Sequence, residues 1–314
     1  MLSGATRGTS MAEAAMLELN DPLWQKLDDA FGDRGIPELL SRLAREWDQE
    51  EALSLFWDCL CHQQTCYGAT YAAVPHLLKI AQPDANRSQR REIAVLLGFV
   101  VFCSFGREYD SIAERDEAFL LAANQGERLR HCNGMLKTGP ADTAELEKLC
   151  SIRQDFIKAF PEIRALCERA LLENPDDENA KLHLLSGVAA ADGLHDLASV
   201  LSCGEEGWFK CPTCDWGYEY ILFGDRVALY ADEDKAGAGD KAVADYTDAS
   251  PSRADGFMIP IEPNGAVSDA RAAALLDLAK RAASPQAVLL GRAFLGRFRC
   301  CKCGVEGTVK AVLS

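Results

Sequence analysis

The sequence predicts a mainly α chain: stacked helical hairpins over its first two thirds, then a small β subdomain carrying two cysteine knuckles. Three observations predict it. Apolar residues recur at helical spacing from residue 20 to 201, where strand-like alternation is scarce. A proline-led pattern, Ile36-Pro37-Glu38-Leu39-Leu40, returns 38 residues later as Val74-Pro75-His76-Leu77-Leu78. From about Ser202 the composition turns aromatic and β-branched, and C-x-x-C occurs at Cys211–Cys214 and again at Cys300–Cys303.

Residues 1–19 read as a flexible lead, with Met11 as a candidate start. The helical region then spans 20–201. Asn20-Asp21-Pro22 signals a helix start, because a capping side chain precedes an early proline. Leu23, Trp24, Leu27, Ala30 and Phe31 would share one face of that helix, and Gly32 and Gly35 end it. A second helix begins at Ile36-Pro37 and runs to Trp47. Leu53–Cys61 and Tyr71–Ala81 are the next two, the latter closed by Pro83. Arg90–Phe105 is the most apolar helix, and Ser111–Asn124 follows it. Gly134–Pro140 is a break. Thr143–Leu172 forms one long helix or two short ones around Pro161, and Asp177–Leu201 forms a pair that turns near Asp192-Gly193. Beyond 202, Tyr218–Phe223 and Val227–Tyr230 read as a hairpin. Asp232–Gly256 is a loop rich in Asp, Ala, Gly and Ser. Ser268-Asp269 and Ser284-Pro285 each open a helix, and Gly307–Leu313 is a final short strand.

In both proline-led copies a proline would open a helix and two leucines would enter the core. Phe160-Pro161-Glu162-Ile163 is a weaker third copy. A period near 40 residues with two helices per unit is the pattern of HEAT- or armadillo-type α-solenoids, whose hairpins must stack because none buries its own apolar face. An irregular helical bundle is the competing reading.

Composition narrows the function classes. Apolar residues make up 48% and charged residues 26% of 314, enough for a sizeable core. The net charge is −15, from 33 basic and 48 acidic side chains, which disfavours a general binder of phosphate backbones. The longest apolar run, Ile93–Phe105, has thirteen residues, short of the roughly 20 a membrane span needs. No secretory signal is evident, so thirteen cysteines point to a reducing, cytoplasmic setting in which paired cysteines suggest metal before disulfide.

The strongest chemical signal is the pair of C-x-x-C knuckles. Cys211, Cys214, Cys300 and Cys303 could place four thiolates around one tetrahedral zinc, with Zn–S about 2.3 Å. Each knuckle follows an aromatic-basic lead, Phe209-Lys210 or Phe298-Arg299, and precedes a glycine and strand-like sequence. The spacing resembles a zinc ribbon with a loop and helices inserted between its halves, over residues 202–314. Four sulfurs make a closed, structural site, whereas a catalytic zinc keeps a position open. A redox C-x-x-C would expect a single pair on a thioredoxin-like unit. Cys301 offers only the tighter C-x-C spacing. Cys59, Cys61, His62 and Cys66 have a metal-like composition, but side chains two apart on a helix diverge, so helix-end packing is expected there.

No nucleophile, base and orienter set is evident around His131 and Cys132, and His76, His183 and His195 lack a supporting motif. No Gly-rich phosphate loop, G-x-S-x-G or H-E-x-x-H occurs. The expectation is a non-enzyme with no catalytic residue and no small-molecule substrate.

The stretch His62-Gln63-Gln64-Thr65-Cys66-Tyr67-Gly68-Ala69-Thr70-Tyr71-Ala72-Ala73-Val74-Pro75-His76-Leu77-Leu78 resembles the signature of a bacterial family of HEAT-repeat-like proteins. In that family a His-Gln-Gly-Thr-Val-Tyr type turn precedes Ala-Thr-Tyr-Ala-Ala-Val-Pro-His-Leu. Gln64 departs from its glycine and Cys66 from its valine. The local match covers about 20 residues, and by order of elements it extends over most of the chain. The resemblance implies C-x-x-C knuckles after the helices, an interaction scaffold, and for some members an association with toxin–immunity systems. It supplies no active-site residue.

The sequence therefore leads to a protein-binding scaffold with a structural zinc site and a basic protein partner, such as a toxin that it neutralises. The other reading is a zinc-ribbon nucleic-acid binder or regulator, since Arg292, Arg297, Arg299, Lys302 and Lys310 surround the second knuckle against Glu306 alone.

Overall fold

The computed structural model describes residues 16–31, 35–62, 65–82, 85–104, 135–137, 142–173, 176–204, 206–211, 213–223, 226–231, 258–260, 267–300 and 302–308. The expected Ser111–Asn124 helix, the 232–256 loop, His131, Cys132, Cys301 and Lys310 lie outside those residues. The chain is mainly helical, with few strands. It divides into two compact units, one from segments 1–82 and 119–159 and the other from 83–118 and 160–314.

In the first unit Asp21 caps a single 3-10 turn, Pro22–Gln25, its Oδ1 accepting from the Leu23 N–H at 2.9 Å. The longer helix expected here does not form. Leu27 bridges Leu136 instead, the Asp28 N–H donates to the Met135 carbonyl at 2.8 Å, and the Lys137 N–H donates to the Lys26 carbonyl at 2.9 Å. Distant backbone thus supplies the hydrogen bonds a further helical turn would have made. Leu23, Trp24 and Leu27 are buried, but Phe31, assigned to the same apolar face, is 55% exposed.

The Ile36–Arg45 helix carries Pro37 in its first turn and buries Ile36, Leu40 and Leu43. Asp48 caps the Gln49–Leu55 helix, which runs into a π turn, Phe56–Leu60. There the helix ends. Cys61–His62 (β1) pairs antiparallel with Thr65–Cys66 (β2).

The next helix spans Gly68–Ile80, so Pro75 and His76 lie in its interior and not at its start. Pro75 lacks the N–H that would bond the Tyr71 carbonyl. The second copy of the proline-led pattern therefore differs from the first in its place in the helix. His76 is buried, with Nε2 2.9 Å from the Leu17 carbonyl oxygen, which ties down a residue assigned to the flexible lead. Asp142 and Glu145 form a capping box on the Thr143–Lys158 helix, which packs against Gly68–Ile80. The Tyr71 ring meets Phe156 at 4.9 Å, with the Arg153 guanidinium 4.1 Å from the Tyr71 centroid.

In the second unit the Arg87–Ser104 helix packs on both Phe160–Leu172 and Glu178–Ala191. Pro161 stands in the first turn of Phe160–Leu172, so of the two readings for 143–172 the structure has two helices. Gly98 and Gly187 let the Arg87–Ser104 and Glu178–Ala191 helices approach closely: a Cβ on Gly98 would lie 2.9 Å from the Gly187 Cα. Beside that crossing the Cys167 thiol donates to the Ala94 carbonyl at 3.3 Å, and burial pushes the thiol up to about 12. The His195–Cys203 helix folds back on Glu178–Ala191.

The change of character at 202 is the passage from that helix to β3 (Glu206–Lys210), within the same unit. With β4 (Gly217–Phe223), β5 (Arg226–Ala231) and β6 (Met258–Pro260), β3 forms an antiparallel sheet in the order β3-β4-β5-β6. Asp269 and Ser284 cap the helices Ala270–Arg281 and Pro285–Phe294, as their spacing predicts. β7 (Arg297–Arg299) and β8 (Glu306–Thr308) then make a two-stranded ladder. No described helix is long and apolar enough to cross a membrane.

Candidate metal centre

The two knuckles are built alike. β3 leads into Cys211 and β4 leaves after Trp216, the strands pairing at Lys210↔Gly217. β7 leads into Cys300 and β8 leaves after Val305, pairing at Arg299↔Glu306. In the first knuckle the Cys211 N–H donates to the Trp216 carbonyl and the Asp215 N–H to the Cys211 carbonyl, both at 2.8 Å. In the second the Cys300 N–H donates to the Val305 carbonyl and the Gly304 N–H to the Cys300 carbonyl, both at 2.9 Å. The residue after each second cysteine takes a positive φ, 56° at Asp215 and 70° at Gly304. A left-handed residue there reverses the chain, which is why glycine suits one copy and Asp, a tolerated exception, the other.

The turns bring together all four cysteines singled out by spacing. Their sulfurs lie within 4.8 Å of one another, Cys211 Sγ 3.8 Å from Cys303 Sγ and Cys214 Sγ 3.7 Å from Cys300 Sγ. All four are thiols, with no disulfide among them. A tetrahedral thiolate site with metal–sulfur bonds of about 2.3 Å separates its sulfurs by about 3.8 Å, so the two cross-knuckle distances fit one ion. Cys211 and Cys300 are buried, whereas Cys303 is exposed.

Electrostatics also suit a cation. At Cys300 burial opposes ionisation, but the backbone N–H groups of Cys303 and Lys302 and the Tyr218 hydroxyl donate to the sulfur and bring it down to about 6. Burial and the other three sulfurs push Cys214 up to about 12, outweighing the help of the Trp216 N–H. Four sulfurs this close cannot all ionise without a positive charge among them.

Two contacts across the knuckles were not singled out by motif. Tyr218, fully buried on β4, donates its hydroxyl to Cys300 Sγ at 3.0 Å. The Lys302 ammonium sits 4.1 Å from the Trp216 ring centroid. Both residues follow a cysteine of their own knuckle closely; in the sequence Lys302 stands out only as part of the basic run around the second knuckle, and Tyr218 only as a strand residue. Of the basic residues near the second knuckle, Arg299 donates to the Gly304 carbonyl at 3.3 Å.

Cys59, Cys61, His62 and Cys66 do not form such a ligand group. Cys59 lies in the π turn and Cys61 on β1, so the shared helix assumed for them is absent. His183 is held below the usual imidazole range by burial, and the His195 ring stacks on Phe102 at 5.5 Å.

Compared with known proteins, the chain matches no protein-family model, no curated protein and no solved structure.

Proposed function

We infer that the protein is a non-enzymatic protein-binding scaffold of HEAT-like helical hairpins, with a zinc ribbon at 202–314, and that its partner presents a basic segment. One observation carries the binding reading. Leu53, near the end of the Gln49–Leu55 helix, and Trp57, in the π turn that continues it, are 41% and 45% exposed. They lie in a stretch, residues 46–78, that holds no Lys or Arg but contains Glu46, Asp48, Glu50, Glu51 and Asp58. An exposed tryptophan and leucine in this acidic stretch, where Glu51 already pairs with Arg42 at 2.7 Å, suit a partner that brings apolar anchors flanked by positive charge. A second copy of a chain with net charge −15 would bring the wrong sign. A toxin domain that acts on nucleic acid is one natural bearer of such a surface. The resemblance to a family with toxin–immunity members, carried by residues 62–78, supports that class of partner.

The zinc is structural in this reading, because four sulfurs leave no open coordination position. It would tie together two hairpins about ninety residues apart, joining Cys211 and Cys214 to Cys300 and Cys303.

The test is affinity capture from the source cell at moderate salt, with metal content measured on the same purified full-length chain. The expected result is one zinc per chain and a basic protein that is retained by wild type, released by salt and lost in the double variant Leu53→Ser, Trp57→Ser. Replacing Cys211 or Cys303 with Ser should release the metal. Capture of nucleic acid without protein, or retention of the partner by the double variant, would overturn the binding reading. Metal content unchanged in both cysteine variants would overturn the ribbon.

A further inference from the structure

We propose that Cys61 and Cys66 form a reversible disulfide across the β1–β2 ladder, making this a redox-modified site of the first unit. The argument is one of register. His62 pairs with Thr65, only two residues separating them in sequence, and Cys61 pairs with Cys66 one step further out. An antiparallel pair separated by only two residues exchanges both backbone hydrogen bonds, so the next pair is of the non-hydrogen-bonded kind, with Cα atoms about 4.5 Å apart. That separation lies inside the range of roughly 4.4–6.8 Å that disulfides span. Directly opposed residues also place their side chains on the same face of the ladder.

A second feature holds the pair in place. The next ladder position outward joins Leu60 and Tyr67. There the buried Thr70 hydroxyl accepts the Tyr67 N–H at 2.8 Å and donates to the Leu60 carbonyl. Thr70 clamps the two strands where another backbone bond would sit. The cysteines therefore lie between the His62–Thr65 pair and the Thr70 clamp. The Tyr67 phenol is raised by burial and then by Asp28, Cys61, Cys66 and Asp29. The burial is unequal: Cys61 is fully buried and Cys66 half-buried, so a reagent from solvent meets Cys66 first.

The oxidant is a low-molecular-weight disulfide. The Cys66 thiolate attacks one of its sulfurs, forms a mixed disulfide and expels one small thiolate. The Cys61 thiolate then attacks Cys66 Sγ, forms the protein disulfide and expels the second. The two protein thiols lose two protons and two electrons, and the small disulfide is reduced to two thiols. Excess small thiol runs the same steps backwards.

Oxidised glutathione is the probe. The zinc-loaded full chain is equilibrated with it, remaining thiols are alkylated, and the protein is digested with trypsin. Because no Lys or Arg lies between Arg45 and Lys79, residues 46–79 leave as one peptide containing Cys59, Cys61 and Cys66. The expected product is that peptide lighter by two hydrogens, with the alkyl label on Cys59 alone, and it returns to three labels after reduced glutathione. In Cys61→Ala the resolving thiol is gone, so Cys66 should keep one glutathione. In Cys59→Ser the link should persist, which keeps the test decisive if the buried Cys61 variant fails to fold. Label on both Cys61 and Cys66 after equilibration, or a link that uses Cys59, would overturn the assignment.

Discussion

Tyr218→Phe removes one oxygen atom from the candidate metal centre and keeps the ring that fills its place. The hydroxyl donates to Cys300 Sγ at 3.0 Å from a fully buried side chain, so solvent cannot replace it. A hydrogen bond to a charged acceptor contributes about 1.5–3 kcal/mol, and loss of such an outer contact to a metal ligand typically weakens affinity about 10–100-fold. The two figures agree, since a factor of 10 corresponds to about 1.4 kcal/mol at room temperature. The assay is competition: zinc-loaded wild type and variant are titrated with a chelator of known affinity and released metal is measured. The variant should surrender zinc at roughly one tenth or less of the chelator that wild type requires. Cys300→Ser should fail to hold it at stoichiometry. Identical release curves for wild type and Tyr218→Phe would refute the reasoning, because the hydroxyl would then be only packing against the sulfur.

Gly98→Ala should destabilise the second unit by about 1–3 kcal/mol despite alanine's better helix propensity, because its Cβ meets the Gly187 backbone at 2.9 Å; a urea midpoint that rises would refute this. Gly291→Ala is the control: its Cβ meets only the end of the Leu276 side chain, at 2.5 Å, which can rotate away, so its midpoint should fall less. Lys181→Met should cost about 1–3 kcal/mol in the same titration, since the buried ammonium donates to the Ala283 carbonyl at 2.9 Å and pairs with Glu178. His76 and His183 are both lowered, chiefly by burial, so the unfolded chain takes up their protons first. The stability they contribute is whole above about pH 6.5 and is lost as pH falls, by at most about 1.4 kcal/mol per pH unit for each; His76→Gln should flatten the slope of unfolding free energy between pH 7.5 and 5.

What was legible in the sequence was local. Asp269 and Ser284 announce their helices because a cap and its helix are neighbours in the chain. The knuckles announce themselves for the same reason, as each is a self-contained hairpin whose turn, hydrogen bonds and left-handed residue fall within six positions. The helix through Phe31 misled because its competitor, the pairing of Leu27 with Leu136, is more than a hundred residues away. Pro75 misled because proline usually opens helices, whereas this one starts at Gly68 behind a Tyr67–Thr70 cap that matches no familiar start signal. β6 and β7, three residues each, are too short to show any period. Periodicity also cannot say which apolar stripe stays uncovered, so nothing in the Leu53–Cys61 spacing marks Leu53 and Trp57 as exposed.

The candidate site shows the same division in small. Its four cysteines were readable because each pair obeys a local rule. Tyr218 and Lys302 were not, because each acts on the opposite knuckle, at Cys300 and Trp216. Those two contacts join the half-sites without any metal. The order in which they fail is therefore informative: if the hairpins stay docked when zinc is withdrawn, the protein contacts assemble the site and the ion locks it, whereas if residues 206–308 loosen at once, the ion does the assembling.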